Sequence, residues 1–567
     1  MRFCLLFLCL NLFFPFTVYS FPFSADSGCS RAVACEPLNG IRIAWDYSTM
    51  RKIAPKGGYA RALRLTDRSV IVVYENREKT HTEVVFVRSF DNGKTWSKPY
   101  VLFQSVCKNS GFKEKETWVN MCNPEIIQLK NGDILAAVNY RPCIQGITPY
   151  AIAVRKSCDN GKSWSDVNVI YEAKSRFQDG CWEPAFLQLP TGELQVYFAN
   201  EGNFIHSDEQ EISVISSMDN GETWGNVRQV SFREGHRDGM PVARVIGNEI
   251  VVVIEDNKSG NFRPYTVRTT LTDNWSSPVL ADSPDRDYCL NKHVEDDIIM
   301  GAPYLLQLPT GETLLSYQSD EGRKTGERLK VMQVAVGDKN ARHFERITQP
   351  FNLLEDQYSM WNSLAMWDDK TVVALGEVKL ENVAAPMLIQ GHILSDITLK
   401  NRKIMDYPIF VGSKTEANVQ VGLGIDSCSL YVKCKVIDPT PYPAMSGTQA
   451  GDGVYLLIDS RNSSVALPDK GTYKIWCSYS GEFVFWEGNC GQWMPFDFSP
   501  SVASVSHYDG YYELQLVLPA KEFGIQKGSM RIGAGISNYP DMCHEGIEWL
   551  VHSDVDKPYT WMKVNIE

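Results

Sequence analysis

The chain has 567 residues, 44% hydrophobic and 22% charged. That is enough apolar material for a large core and enough length for more than one domain, which excludes a disordered or fibrous chain. A formal net charge of -12 without a long run of Lys or Arg excludes a nucleic-acid partner held through phosphate contacts, and suits a neutral ligand such as a sugar.

The first segment, MRFCLLFLCLNLFFPFTVYS, has one Arg, an apolar run broken by Pro15, and a small residue at its end, Ser20. It reads as a signal peptide over residues 1–20, and the expected product is a soluble exported protein, secreted or periplasmic. No later stretch is apolar over the length a membrane span requires. Of the 15 cysteines, Cys4 and Cys9 fall in the leader, and the odd remainder does not describe a disulfide framework. Cys477 and Cys490 flank what reads as a hairpin and are the candidate pair. Without a CxxC motif or a His-rich cluster no metal site is expected, and no cofactor is called for.

From residue 59 onward two repeats alternate. The first reads SFDNGKTW from Ser89, SCDNGKSW from Ser157 and SMDNGETW from Ser217. Asp-Asn-Gly supplies a turn that tolerates positive φ, the Ser and Asp side chains bond the turn backbone, and the Trp anchors it from beneath. The second repeat is longer and has six copies, opening at Tyr59, Asn123, Trp182, Met240, Ala302 and Trp361. Each is a short strand, a Gly, Asn or Asp turn and a second strand rich in Val, Leu and Tyr, as in YARALRLTDRSVIVVYE from Tyr59. Six such units at intervals of roughly 60 residues predict an all-β fold with a six-bladed β-propeller over residues 40–400.

The S-x-D-x-G-x-[ST]-W copies resemble the Asp-boxes of the sialidase superfamily. That resemblance implies the propeller, and it puts the boxes on the blade periphery, so function is to be sought around the axis. Members that cleave sialic acid grip its carboxylate with three arginines, the first in blade one. Here the aligned position in GGYARALRL is Tyr59, with Arg61 shifted by one alternation. Arg61, Arg141, Arg237 and Arg263 are the residues from which a different cluster could be made. The stretch GCWEPAFLQL is similar to the W-E-P blade opening of the exo-arabinanase branch, glycoside hydrolase family 93, and GMPVARVIGNEIVVVIED is similar to the blade that follows there. Carried over residue by residue, the two catalytic glutamates of that branch fall on Glu183 and Glu255. Two are needed because one carboxylic acid protonates the leaving oxygen while the other attacks, or activates water at, the anomeric carbon.

Around this pair, Trp182 is expected to raise the pKa of Glu183 or to stack on a sugar. Glu201 is a third carboxylate, and His236 and Asp238 are placed as partners for sugar hydroxyls. With Tyr59, Arg61 and Arg141 these form the expected substrate-binding set. Glu255 has a rival reading, because Glu75 holds the same place in blade one and the position could be a repeated structural feature of the blades.

Past residue 400 the blade pattern stops. Residues 408–567 read as the alternating strands of a β-sandwich, and SLYVKCKVID with GDGVYLLID resembles the family 9 carbohydrate-binding modules and their DOMON-like relatives. Trp476, Trp486, Trp493, Trp549 and Trp561 are concentrated there. Core packing claims most tryptophans, which leaves about two for a ligand, with Trp476 and Trp549 the first candidates. The break predicts a propeller that stands without residues 408–567; a sandwich that braces the propeller is the alternative. The resulting expectation is an exo-acting glycoside hydrolase with a carbohydrate partner, favouring arabinan-like chains. An exo-α-sialidase and a non-catalytic glycan-binding protein are the alternatives. Nothing in the sequence sets the oligomeric state.

Overall fold

A computed structural model describes residues 34–109, 116–324, 329–400, 404–412, 417–444, 450–500, 502–541 and 544–567. The expected signal peptide and Cys4, Cys9 and Cys29 lie outside the described residues. Apart from two 3-10 turns, the regular structure is all β.

The first part is a β-propeller of six small antiparallel sheets. The innermost strands are Gly58–Arg64, Glu116–Gln128, Cys181–Gln188, Asp238–Ile246, Met300–Gln307 and Tyr358–Asp368, in blades one to six. Each packs on the next and the sixth returns to the first, so the ring is closed. Between blades lie apolar cores of interdigitated middle strands, such as Val196, Phe198 and Ile254.

The Asp-boxes do what their sequence implies. In the first, Ser89 Oγ accepts the Gly93 N–H at 2.8 Å and Asp91 accepts the Thr95 N–H at 2.9 Å, and the second and third repeat both bonds. The Thr95 and Thr223 hydroxyls, together with these threonine N–H groups and the serine hydroxyls, hold the pKa of the Asp91 and Asp219 carboxyls at about 2. A degenerate turn without the Gly stands in blade four, where Trp275 is buried and donates to the Tyr197 hydroxyl at 2.9 Å.

Two features of the chain path were not read in the sequence. The outer strand of blade six is Arg42–Lys52, which pairs antiparallel with Ala385–Leu394 and closes the ring from far away in the chain. The second part, a sandwich of an eight-stranded and a five-stranded sheet, also starts earlier than residue 408, because Ile397–Leu399 pairs parallel with residues 564–566. In the strand Ser429–Ile437, Leu430, Val432, Cys434 and Val436 alternate into the core with outward polar residues.

The two parts share one core. Ala44 and Leu394 of blade six pack with Ile409, Val421 and Phe410 of the sandwich. Arg42, 1% exposed, donates to the carbonyls of Val551 at 3.0 Å and Thr560 at 2.7 Å. Arg531, 1% exposed, reaches back to Asn39 at 2.7 Å, and the Cys35 N–H donates to the Ser464 carbonyl at 2.8 Å. The sandwich therefore packs on the outer edge of blade six through a shared apolar core, the arrangement that the brace alternative anticipates. The Cys477–Cys490 pairing is corrected: Cys477 is a buried free thiol in the core and Cys490 is disulfide-bonded elsewhere.

Candidate active site

Every innermost strand carries a β-bulge at the same place. The bulged residue has a positive φ in all six blades: Tyr59 at 52°, Asn123 at 47°, Glu183 at 53°, Met240 at 49°, Ala302 at 50° and Trp361 at 52°. These residues open the six copies of the long repeat or stand one place after. Left-handed backbone is unfavourable for side chains of this size, and six repeats of it mark a feature the fold holds in place. The extra residue takes its own N–H out of the ladder and re-aims its side chain, here into the axis.

The unpaired N–H is satisfied from the blade before. Glu75 accepts the Asn123 N–H at 2.9 Å, Glu255 the Ala302 N–H at 2.8 Å, and Gln318 the Trp361 N–H at 2.9 Å. Glu377 stands at the corresponding position of blade six, against Gly58. Glu255 is thus one of a repeated set of clasps. It differs from Glu75 and Glu377 in its neighbours: those two share the guanidinium of Arg77 at 2.8 Å each, whereas Glu255 has no ion pair among the described residues. It lies between Gly239 and Gly301, and a Cβ on either glycine would come within 3.1 Å of its carboxylate oxygens. The absence of both side chains leaves it open toward the axis.

Glu183 stands in the bulge of blade three, its side chain 17% exposed, with Arg141 Nη2 at 3.9 Å from Oε1. Burial pushes its carboxyl up to about 7, opposed by Arg141 and reinforced by Glu255 and Glu201. Burial likewise pushes Glu255 up to about 7, opposed by the Ala302 N–H and Arg237. Glu255 is thus near enough to Glu183 for its charge to raise the Glu183 carboxyl, and both lie toward the propeller axis, in what is called the pit. Arg141 is held there by Asn139 at 2.9 Å and Asn123 at 2.7 Å, and its guanidinium lies 4.8 Å over the ring of Trp182.

Several expected site residues do other work. Trp182 is a wall: its ring packs on Tyr150 at 4.9 Å and Phe177 at 5.0 Å, Arg141 covers a face, and its indole N–H donates to Glu201 at 2.9 Å. Glu201 is 2% exposed and paired with Arg237, so it is not available to a substrate. Asp238 is fully buried. Arg286 bridges it to Asp256 at 2.6 and 2.7 Å, and Ser231 donates to it at 2.7 Å, which leaves nothing for sugar hydroxyls. His236 sits in the turn before blade four, where its backbone N–H bonds Arg233 and its carbonyl bonds Gln210. Its neighbour Arg237 is the side chain that reaches the pit, held by Gln210 at 2.7 Å and by Glu201.

The four arginines do not form one cluster. Arg61 lies beneath the bulge ring, 3% exposed, bonded to the carbonyls of Ala60 and Trp361 and 3.5 Å from Glu125. Its guanidinium packs 4.1 Å from the centre of the Tyr59 ring, and Tyr59 is itself 4% exposed. Arg263 is spent on the carbonyls of Glu295, Asp296 and Ile298. Arg141 and Arg237 are left at the pit, each already beside a carboxylate.

In the sandwich, Trp476 and Trp561 are fully buried, which removes Trp476 as a ligand platform. Trp549 is partly exposed. It packs on Tyr455 and lines a cavity of about 350 Å³ between the two parts, with Trp45, Tyr47 and Phe410. Among the described residues there is no cluster of three or more potential metal ligands, and no helix is long and apolar enough to cross a membrane.

The BNR repeat-like domain matches residues 61–276, from the inner strand of blade one into blade four. No curated protein matches the chain. Among solved structures, a protein of unknown function from Dyadobacter fermentans is 13% identical, with 64% of this chain and 99% of that one covered and a TM-score of 0.45. The GH93 α-L-arabinofuranosidase of Fusarium graminearum, in complex with arabinobiose, is 16% identical over 64% of this chain and 98% of its own, at a TM-score of 0.44. The NanB sialidase from Streptococcus pneumoniae is 12% identical over 60% and 69%, at 0.41.

Proposed function

We propose that the protein is an exported, exo-acting glycoside hydrolase that releases a neutral terminal sugar from arabinan-like chains, with Glu183 and Glu255 as the reacting pair. The observation that carries this reading is the placing of two carboxyl groups on adjacent blades, Glu183 in the axial bulge and Glu255 between Gly239 and Gly301, both pushed up to about 7 by burial and differing in their surroundings. Glu183 has a guanidinium 3.9 Å away, which favours its ionised form. Glu255 has one backbone N–H and, among the described residues, no ion-pair partner, so of the two only Glu183 has a cation beside it to stabilise its ionised form. Glu183 is then the nucleophile, or the base that activates water, and Glu255 the acid that protonates the leaving oxygen.

A neutral sugar is favoured because the two arginines at the pit already stand beside carboxylates: Arg141 beside Glu183 and Arg237 with Glu201. A substrate carboxylate would have to displace one of these partners to gain a two-point guanidinium contact. One observation favours the rival reading of a non-catalytic glycan-binding protein, namely that Glu255 repeats the clasp made by Glu75 and Gln318.

The test is turnover of aryl glycosides, linear arabinan and sialyl substrates by the wild type, Glu183→Gln and Glu255→Gln. Each substitution keeps an oxygen acceptor, so the Ala302 N–H need not lose its partner, and each is expected to lower kcat by several orders of magnitude. Turnover near wild type in Glu255→Gln would make Glu255 a clasp and nothing more. Sialoside cleavage with arabinan untouched would overturn the neutral-sugar assignment, and binding without turnover on any substrate would favour the glycan-binding protein.

A further inference from the structure

We propose that Trp361 is the stacking platform of the pit, the surface on which the ring of a neutral sugar rests while its anomeric end faces Glu183; this rests on the glycosidase reading above. The six bulge residues form a ring about the axis, and four are sealed: Tyr59 at 4%, Asn123 at 5%, Met240 at 6% and Ala302 at 1% exposure. Glu183 and Trp361 alone among the six keep partial solvent access. Blades three and six are three places apart in a closed ring of six, so these two side chains stand across the axis from each other.

The main chain of Trp361 is held on both sides and its indole leans on a neighbouring ring. The Trp361 N–H donates to Gln318 at 2.9 Å, its carbonyl accepts from Arg61 at 3.3 Å, and its ring leans on Tyr59 at 6.3 Å between centroids and 31° between planes. Beside it Ala302 has the smallest side chain of the ring, and the Ala302 N–H is the group that holds Glu255. A ring laid on the indole is therefore next to the proposed acid and opposite the proposed nucleophile. Trp275, Trp367, Trp476 and Trp561, by contrast, are at most 2% exposed, whereas the Asp-box anchors Trp96, Trp164 and Trp224 are partly exposed at the periphery, away from the axis. An indole face suits the C–H-rich face of a neutral sugar and offers nothing to a carboxylate.

The test is calorimetric titration of arabinobiose and arabinotriose into the full chain as wild type, Trp361→Ala, Trp361→Phe and Glu183→Gln, with turnover and thermal midpoint measured for each. Trp361→Ala is expected to weaken binding about tenfold or more, while Trp361→Phe, which keeps a stacking face, stays within about threefold of wild type. Unchanged binding in Trp361→Ala would overturn the platform while leaving the glycosidase reading to stand on Glu183→Gln. Weakened binding in Trp361→Ala with full turnover in Glu183→Gln would sink the catalytic assignment and keep the platform. Loss of binding in Trp361→Phe equal to that in Trp361→Ala, at wild-type thermal midpoints, would overturn stacking as the mechanism. No binding of either sugar by the wild type would overturn both proposals.

Discussion

Replacing Arg141 with Met removes the cation nearest Glu183 and keeps the side-chain length. At 3.9 Å a unit charge pair is worth about 4 kcal/mol in an effective dielectric of about 20. Arg141 is 34% exposed and solvent screens it, which reduces this to about 1–2 kcal/mol. That corresponds to roughly one pKa unit, so the Glu183 carboxyl, already pushed up to about 7, is expected to rise by about that much in Arg141→Met. If Glu183 must be ionised to react, the acid limb of the kcat/KM profile against pH moves toward alkaline pH by the same amount. Profiles of wild type, Arg141→Met and Arg141→Lys on the best substrate of the screen measure it, with Lys restoring part of the shift. Added salt should reduce the difference between Arg141→Met and wild type. An acid limb that stays in place in folded Arg141→Met refutes the reasoning, and a shift confined to the alkaline limb would give Glu183 the acid's role.

The same carboxyls set how stability depends on pH. Glu183, Glu255 and Asp452 are all pushed up to about 7 by burial, so between about pH 4 and 7 the native state holds protons that the unfolded chain has released, and unfolding becomes easier as pH rises through that window. The ligand-free thermal midpoint is expected to be higher at pH 5 than at pH 8 by scanning calorimetry, and a rise from 5 to 8 would contradict the assignment. A chain ended at residue 405 is expected to aggregate or to melt without a cooperative transition, because it bares Ala44 and Leu394 and strips Arg42 of its Val551 and Thr560 acceptors. A soluble monomer with a sharp transition would show that the sandwich is dispensable.

The blades were legible in the sequence because each is local. Two strands of alternating pattern joined by a Gly, Asn or Asp turn announce themselves within about twenty residues, and the bulge residues fell at or next to the openings of those copies. Glu183 was legible through W-E-P. Less legible was whatever depends on distant partners. The strand Arg42–Lys52 has its partner more than 330 residues later, so nothing near it reveals which sheet it joins. Glu201 and Asp238 look in sequence like pit carboxylates, and only the positions of Arg237 and Arg286 show that they are already engaged. Trp476 looks in sequence like a ligand platform and is fully buried, because burial of an indole is decided by the sheet packed over it.

Closing blade six with Arg42–Lys52 imposes an order on biosynthesis. That strand emerges early, and its partner is complete only at Leu394. At about 5–20 residues per second the wait is roughly 20–70 s, during which Ile43 and Trp45, both buried in the finished protein, have no sheet to join. Its flank at residues 35–42 waits longer still, for Ser464, Arg531 and Thr560. The ring therefore cannot shut on the ribosome before most of the chain exists, and a nascent protein of this design is an open-edged substrate for chaperones until translation is nearly finished.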